Sequence, residues 1–131
     1  MGFDYSPIRR AAVMAKSNGR CFYCGKTPAP SEVMARDHVV PQGDGGSHDI
    51  ENLVPACQSC NRIKGVRPVD DLRVHLARRA AGWIYFSPAQ VEWLMENSAL
   101  PKLEPYVFYG ETIGWTWDET RRAFVAKREA A

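Results

Sequence analysis

The sequence predicts an α+β fold: a small module of helix, β-hairpin and helix, followed by a mainly helical, aromatic-rich extension. Three observations carry that expectation. All four cysteines fall in two Cys-x-x-Cys pairs, Cys21/Cys24 and Cys57/Cys60. Between the pairs, two short runs of strand character flank a Gly-rich connector, the pattern of a long-looped hairpin. Ten of the fourteen aromatic residues lie between Trp83 and Phe124, so the last third differs in texture.

Taken in order, "MGFDYS" fits an N-acylation pattern through Gly2 and Ser6, but Ser6-Pro7 reads more simply as a helix start. "PIRRAAVMAKS", residues 7–17, reads as a helix with Ile8, Ala11, Ala12 and Ala15 on one face, stopped by Asn18-Gly19. "CFYCG" is a tight turn. "SEVMARDHVV" (31–40) and "ENLVPA" (51–56) are the two strands, joined by "PQGDGGSHDI". "CQSCNRIKG" (57–65) turns into a short helix. "VDDLRVHLARRAAG" (69–82) is a second helix, acidic at its start and basic at its end, as the helix dipole favours.

In the extension, "SPAQVEWLMENS" carries a capping box in Ser87 and Gln90, with Pro88 at the first helical position. "PYVFYG" (105–110) has strand character. "TWDETRRAFVAK" (116–127) repeats the capping-box pattern through Thr116 and Glu119, which predicts one more helix. We expect one domain, with residues 1–80 as the module and 81–131 packed on it.

A chain of 131 residues is long enough to bury roughly two-thirds of its unfolded surface. Its hydrophobic content of 45% and charged content of 24% are those of an ordinary globular protein. No apolar run approaches the roughly 20 residues that cross a bilayer, and the start lacks a secretory pattern, so the expected address is cytoplasmic. The net charge of +2 is uneven: residues 1–80 hold 12 Lys/Arg against 8 Asp/Glu, residues 81–131 hold 5 against 7. A mildly basic first half is compatible with nucleic acid and is by itself weak evidence.

Two sulfurs two residues apart on a turn make half of a tetrahedral site, and the second pair completes a four-thiolate coordination of zinc. Disulfides would need an oxidising compartment, for which nothing in the sequence speaks. Such a closed site accounts for folding and leaves chemistry to other residues.

Between the pairs lie Asp37, His38 and Asn52, with Asn61 directly after Cys60. A carboxylate and an amide oxygen suit a hard divalent cation such as Mg²⁺, and an adjacent imidazole takes a proton from water. Base, metal and water together make a site for phosphodiester hydrolysis. Neighbouring strand residues normally point to opposite faces, so the strand end has to bring Asp37 and His38 together.

At these residues the chain resembles a known family. "CFYCG … RDHVVPQGDGGSHDIENLVPACQSCNRIKG" looks like the HNH endonucleases of the ββα-metal superfamily, in their zinc-bearing form, over about residues 7–68. The resemblance implies His38 as general base, Asp37 and Asn61 as ligands of the catalytic ion, and Asn52 as the residue that fixes the loop. It also implies a DNA backbone contact near Lys64 and products ending in 5′-phosphate and 3′-hydroxyl. The third motif position often holds His in this family. Asn61 makes the site harder and favours Mg²⁺ or Mn²⁺ over Ni²⁺ or Zn²⁺.

Arg62, Lys64 and Arg67 cluster beyond Asn61, where contacts to DNA phosphates are expected. His48 reads as a solvated loop residue and His75, beside Leu72 and Leu76, as helix packing. The aromatics of the extension read as core rather than as a base-stacking platform. The expected function is a metal-dependent DNA endonuclease, a monomer or homodimer, that mainly nicks because one site cuts one strand, double-strand cleavage needing two copies or a second encounter. The alternative is a non-catalytic zinc module binding nucleic acid or protein, which would have no use for Asp37, His38 and Asn61 together.

Overall fold

A computed structural model of the chain describes residues 7–127, so the Gly2 pattern and the Ser6 cap lie outside the described residues. The elements are α1 (Pro7–Ala15), β1 (Ala35–His38), β2 (Leu53–Ala56), α2 (Gln58–Lys64), α3 (Val69–Ala80), α4 (Pro88–Glu96), α5 (Tyr109–Thr112), β3 (Trp115–Asp118) and β4 (Ala123–Ala126). Helices and two small antiparallel sheets, β1–β2 and β3–β4, make the expected α+β class.

The β1–β2 pair sets His38 opposite Leu53 and Asp37 opposite Val54. Both strands are shorter than the sequence suggests. Residues 31–34 are irregular, and Ile50–Asn52 form a 3-10 turn before β2. Cys57 opens α2, its sulfur accepting from the Cys60 N–H at 3.4 Å. Sheet, cysteine turn and α2 therefore meet at one point.

The core is shared along the chain. Phe22, Tyr23, Met34, Val39, Val54, Leu72 and Leu76 pack with the cysteines and with Phe108 and Phe124 of the extension. Phe108 lies edge-on to Tyr23 at 5.0 Å, and Phe22 meets Phe124 at 4.9 Å. Gly110 rests against the Phe22 ring so closely that a Cβ there would collide with it. Arg73 on α3 clamps the extension, with Nη1 donating to the Tyr106 carbonyl and to Glu111, both at 2.7 Å.

Three local expectations change. Residues 116–127 are no helix but part of the β3–β4 hairpin. Trp115-Thr116-Trp117 alternates with a period of two, and aromatic and β-branched residues favour the pleated surface over a cap signal four residues long. "PYVFYG" is irregular up to Phe108 and then enters α5. On α1 the inward residue is Val13, whereas Ile8 is 84% exposed. Arg9 and Lys16 lie with Val13 because they reach carbonyls of the connector and of β2. Lys16 Nζ donates to Ile50 at 2.5 Å and to Leu53 at 2.8 Å.

Candidate functional site

The four cysteine sulfurs lie within 4.8 Å of one another, with Cys21, Cys57 and Cys60 buried. Cys24 and Cys57 Sγ are 3.8 Å apart, far too long for a disulfide. A tetrahedron built on Zn–S bonds of about 2.3 Å has edges of about 3.8 Å, so the donor set fits zinc. Hydrogen bonds from Cys21 and Cys60 pull the Cys24 thiol down to about 3, while Cys60 is pushed up. Sulfurs this close cannot all carry charge without a cation among them. Gly25 follows at φ 76, the conformation that lets its N–H close the turn on the Cys21 carbonyl at 2.9 Å.

Beside this cluster, Asp37 is 5% exposed. Its Oδ2 accepts from the Tyr23 hydroxyl at 2.5 Å and lies 3.2 Å from Lys64 Nζ. Burial pushes the Asp37 carboxyl up, against the opposite pull of Lys64 and Tyr23. Burial, and then the Asp37 charge, hold the Tyr23 hydroxyl protonated well above its usual range. Lys64 Nζ also donates to the His38 carbonyl at 2.8 Å, tying α2 to the end of β1.

His38 is half-buried, and burial, then His48, then Lys64 lower its basicity. Its Nε2 is 2.9 Å from His48 Nδ1. Asn52 is buried and spans the connector: Nδ2 donates to Val40 at 3.0 Å and to Ser47 at 2.7 Å, and Oδ1 accepts from the Val40 N–H at 3.0 Å. Gly46 lies against that bridge, where a Cβ would strike the Val40 carbonyl.

Asp37, His38 and Asn61 line one groove of about 630 Å³, together with Arg36, Gln42, Asp44 and Gly65. The chain thus brings together an acid, an imidazole and an amide that the sequence separates by up to 24 positions. Asn61, Arg62 and Arg67 are exposed. Lys64, expected at the DNA backbone, is instead 1% exposed and turned toward Asp37. His48, expected in solvent, is half-buried against His38. The only sequence signal for either was proximity to the motif.

The HNH endonuclease family model matches residues 21–67, the segment that holds both cysteine pairs and the groove residues Asp37, His38 and Asn61. This segment is an HNH domain. Over 54 residues the chain is 41% identical to a CRISPR-associated endonuclease Cas9 of Corynebacterium diphtheriae, a match covering 40% of this chain and 5% of that protein. The Type II-C Cas9 enzyme of Actinomyces naeslundii is similar in structure at a TM-score of 0.45 and 24% identity, over 76% of this chain and 12% of that one. The chain therefore spans a small part of the length of either relative. Among the described residues, no helix is long and apolar enough to cross a membrane.

Proposed function

We propose that the chain is a metal-dependent DNA endonuclease that cuts one strand at a time. The observation that carries this reading is the groove shared by Asp37, His38 and Asn61 within the HNH domain. The name of the Corynebacterium diphtheriae relative, endonuclease, agrees with it.

In this reading the four-cysteine cluster holds a structural Zn²⁺, and its thiolates suit a reducing, cytoplasmic setting. Asp37 and Asn61 would hold Mg²⁺ or Mn²⁺, which when bound offsets charge on the phosphate and on the leaving oxygen. His38 accepts a proton from the attacking water. The water oxygen bonds to phosphorus as the bond to the 3′ oxygen breaks, and that oxygen is reprotonated from solvent, leaving 5′-phosphate and 3′-hydroxyl ends. Asn52 keeps the connector in place beside His38. Arg62 and Arg67 meet flanking phosphates from the exposed side of α2 and the turn after it. The described part of the extension, residues 81–127, belongs to the same domain, since Phe108 and Phe124 complete its core.

The test is cleavage of supercoiled plasmid with Mg²⁺ or Mn²⁺ by zinc-loaded wild type and His38→Ala. Wild type should give nicked circles, and the variant should lose at least about a hundredfold in rate. Equal cutting by both would remove His38 as base. Binding without cutting by either protein, across metals, would favour a non-catalytic zinc module.

A further inference from the structure

His48 has no role in the reaction as written, yet its ring nitrogen lies within hydrogen-bond distance of the imidazole of His38. The two rings are tilted by 34° with centroids 5.1 Å apart, and His38 Nε2 faces His48 Nδ1 at 2.9 Å. The backbone under His48 is held from several directions. The Arg9 guanidinium donates to its carbonyl, and Asn52 Nδ2 donates to the preceding carbonyl of Ser47 at 2.7 Å. Lys16 secures Ile50 two residues on. A loop tip that merely faced solvent would have no such anchorage.

A hydrogen bond between two neutral imidazoles has one donor and one acceptor, and its two arrangements differ chemically. If His48 donates, the proton lies on its Nδ1, His38 Nε2 spends its lone pair on the bond, and His38 Nδ1 carries a hydrogen. That His38 has no lone pair left for water. If His38 donates through Nε2–H, its Nδ1 lone pair is open and His48 keeps its hydrogen on Nε2. Both rings are then in histidine's commoner neutral tautomer. The bond made by one ring nitrogen decides what the other is able to do.

We propose that His48 is a positioning residue, accepting from His38 Nε2–H and so presenting the His38 Nδ1 lone pair to the attacking water. The proposal rests on His38 being the base. It makes the connector part of the catalytic apparatus, with α1 and Asn52 acting on His38 through the carbonyls at Ser47 and His48.

The experiment uses the full zinc-loaded chain and compares wild type, His48→Ala, His48→Asn and His38→Ala on a nicking substrate. Nitrogen NMR of the His38 ring accompanies the kinetics. His48→Ala should lower kcat about ten- to hundredfold with KM unchanged. His48→Asn, whose amide oxygen sits near the place of Nδ1, should restore most of the loss. In wild type, NMR should show hydrogen on His38 Nε2 and none on Nδ1, and in His48→Ala a mixture of tautomers. A hydrogen on His38 Nδ1 in wild type overturns the proposal, even if the variants misfold. So does full kcat in His48→Ala, or a loss spread over KM that Asn fails to rescue. If His38→Ala is inert while His48→Ala is fully active, only the positioning role falls. If His38→Ala cuts like wild type, the base assignment falls and takes this proposal with it.

Discussion

Lys64 and Asp37 are 1% and 5% exposed, and their charged atoms lie 3.2 Å apart. Taking one partner away strands the other's charge in the interior, which costs about 3–5 kcal/mol. Lys64→Met should therefore destabilise the zinc-loaded protein by about that amount, and the double variant with Asp37→Asn should recover part of the loss. Denaturant unfolding of the two single variants and the double variant measures the coupling. A Lys64→Met change below about 1 kcal/mol would mean that water already reaches the pair. The same contact addresses how Asp37 and His38 reach one groove. Asp37 takes the buried side of β1, His38 lies at the strand end, and Lys64 binds the carboxylate of one and the carbonyl of the other.

At the scale of the element, α2 separates two basic residues by its own geometry. Positions two apart on a helix are about 200° apart around the axis, so Arg62 and Lys64 face opposite ways. Lys64 is inside and Arg62 is exposed on the same seven-residue helix. Arg62→Ala should weaken DNA binding across sequences and reduce the slope of log K against log salt by about one. Binding titrations at several salt concentrations, without the catalytic ion, read that slope, and an unchanged slope removes Arg62 from the interface. The β3–β4 hairpin obeys the same local logic in a different geometry. Its two-residue period places Trp115 and Trp117 on one side, with Trp117 edge-on to Phe124 at 5.3 Å. Its far end reaches the connector, where Arg122 Nη1 donates to the Asp44 carbonyl at 3.3 Å.

Across the whole molecule, the cysteine cluster lies in the hydrophobic core with Phe22, Tyr23, Phe108 and Phe124. A bound structural zinc contributes an apparent stabilisation of about 10–16 kcal/mol, comparable with or larger than the roughly 5–15 kcal/mol that holds a whole domain together. Stripping the metal with a chelator at neutral pH should therefore abolish cooperative unfolding of the module. It should also free the extension, because Phe108 and Gly110 pack on the ring pair between the first two cysteines. Circular dichroism melts followed alongside zinc content test this. A metal-free chain that melts at the same temperature would show that the sulfurs are merely buried.

Short-range spacing encodes the features legible in the chain before it folds: two cysteines on one turn, twice, an acid beside a histidine at a strand end, and an asparagine in the first turn of a helix. Each signal spans a few residues, and backbone geometry alone turns it into an arrangement. The rest depended on partners that local patterns do not name. Lys64 reads as a surface cation until α2 docks on β1, 26 positions away in sequence. His48 reads as a loop residue until Arg9 and Asn52 pin its backbone beside His38. The α1 face follows Val13 and the reach of Lys16 rather than the alanines, because a methyl buries little area and an ammonium with two carbonyls in range stays with them. Folding in three dimensions settled these positions because each depends on a long-range contact, and no local period records where a distant carbonyl or ring nitrogen will lie.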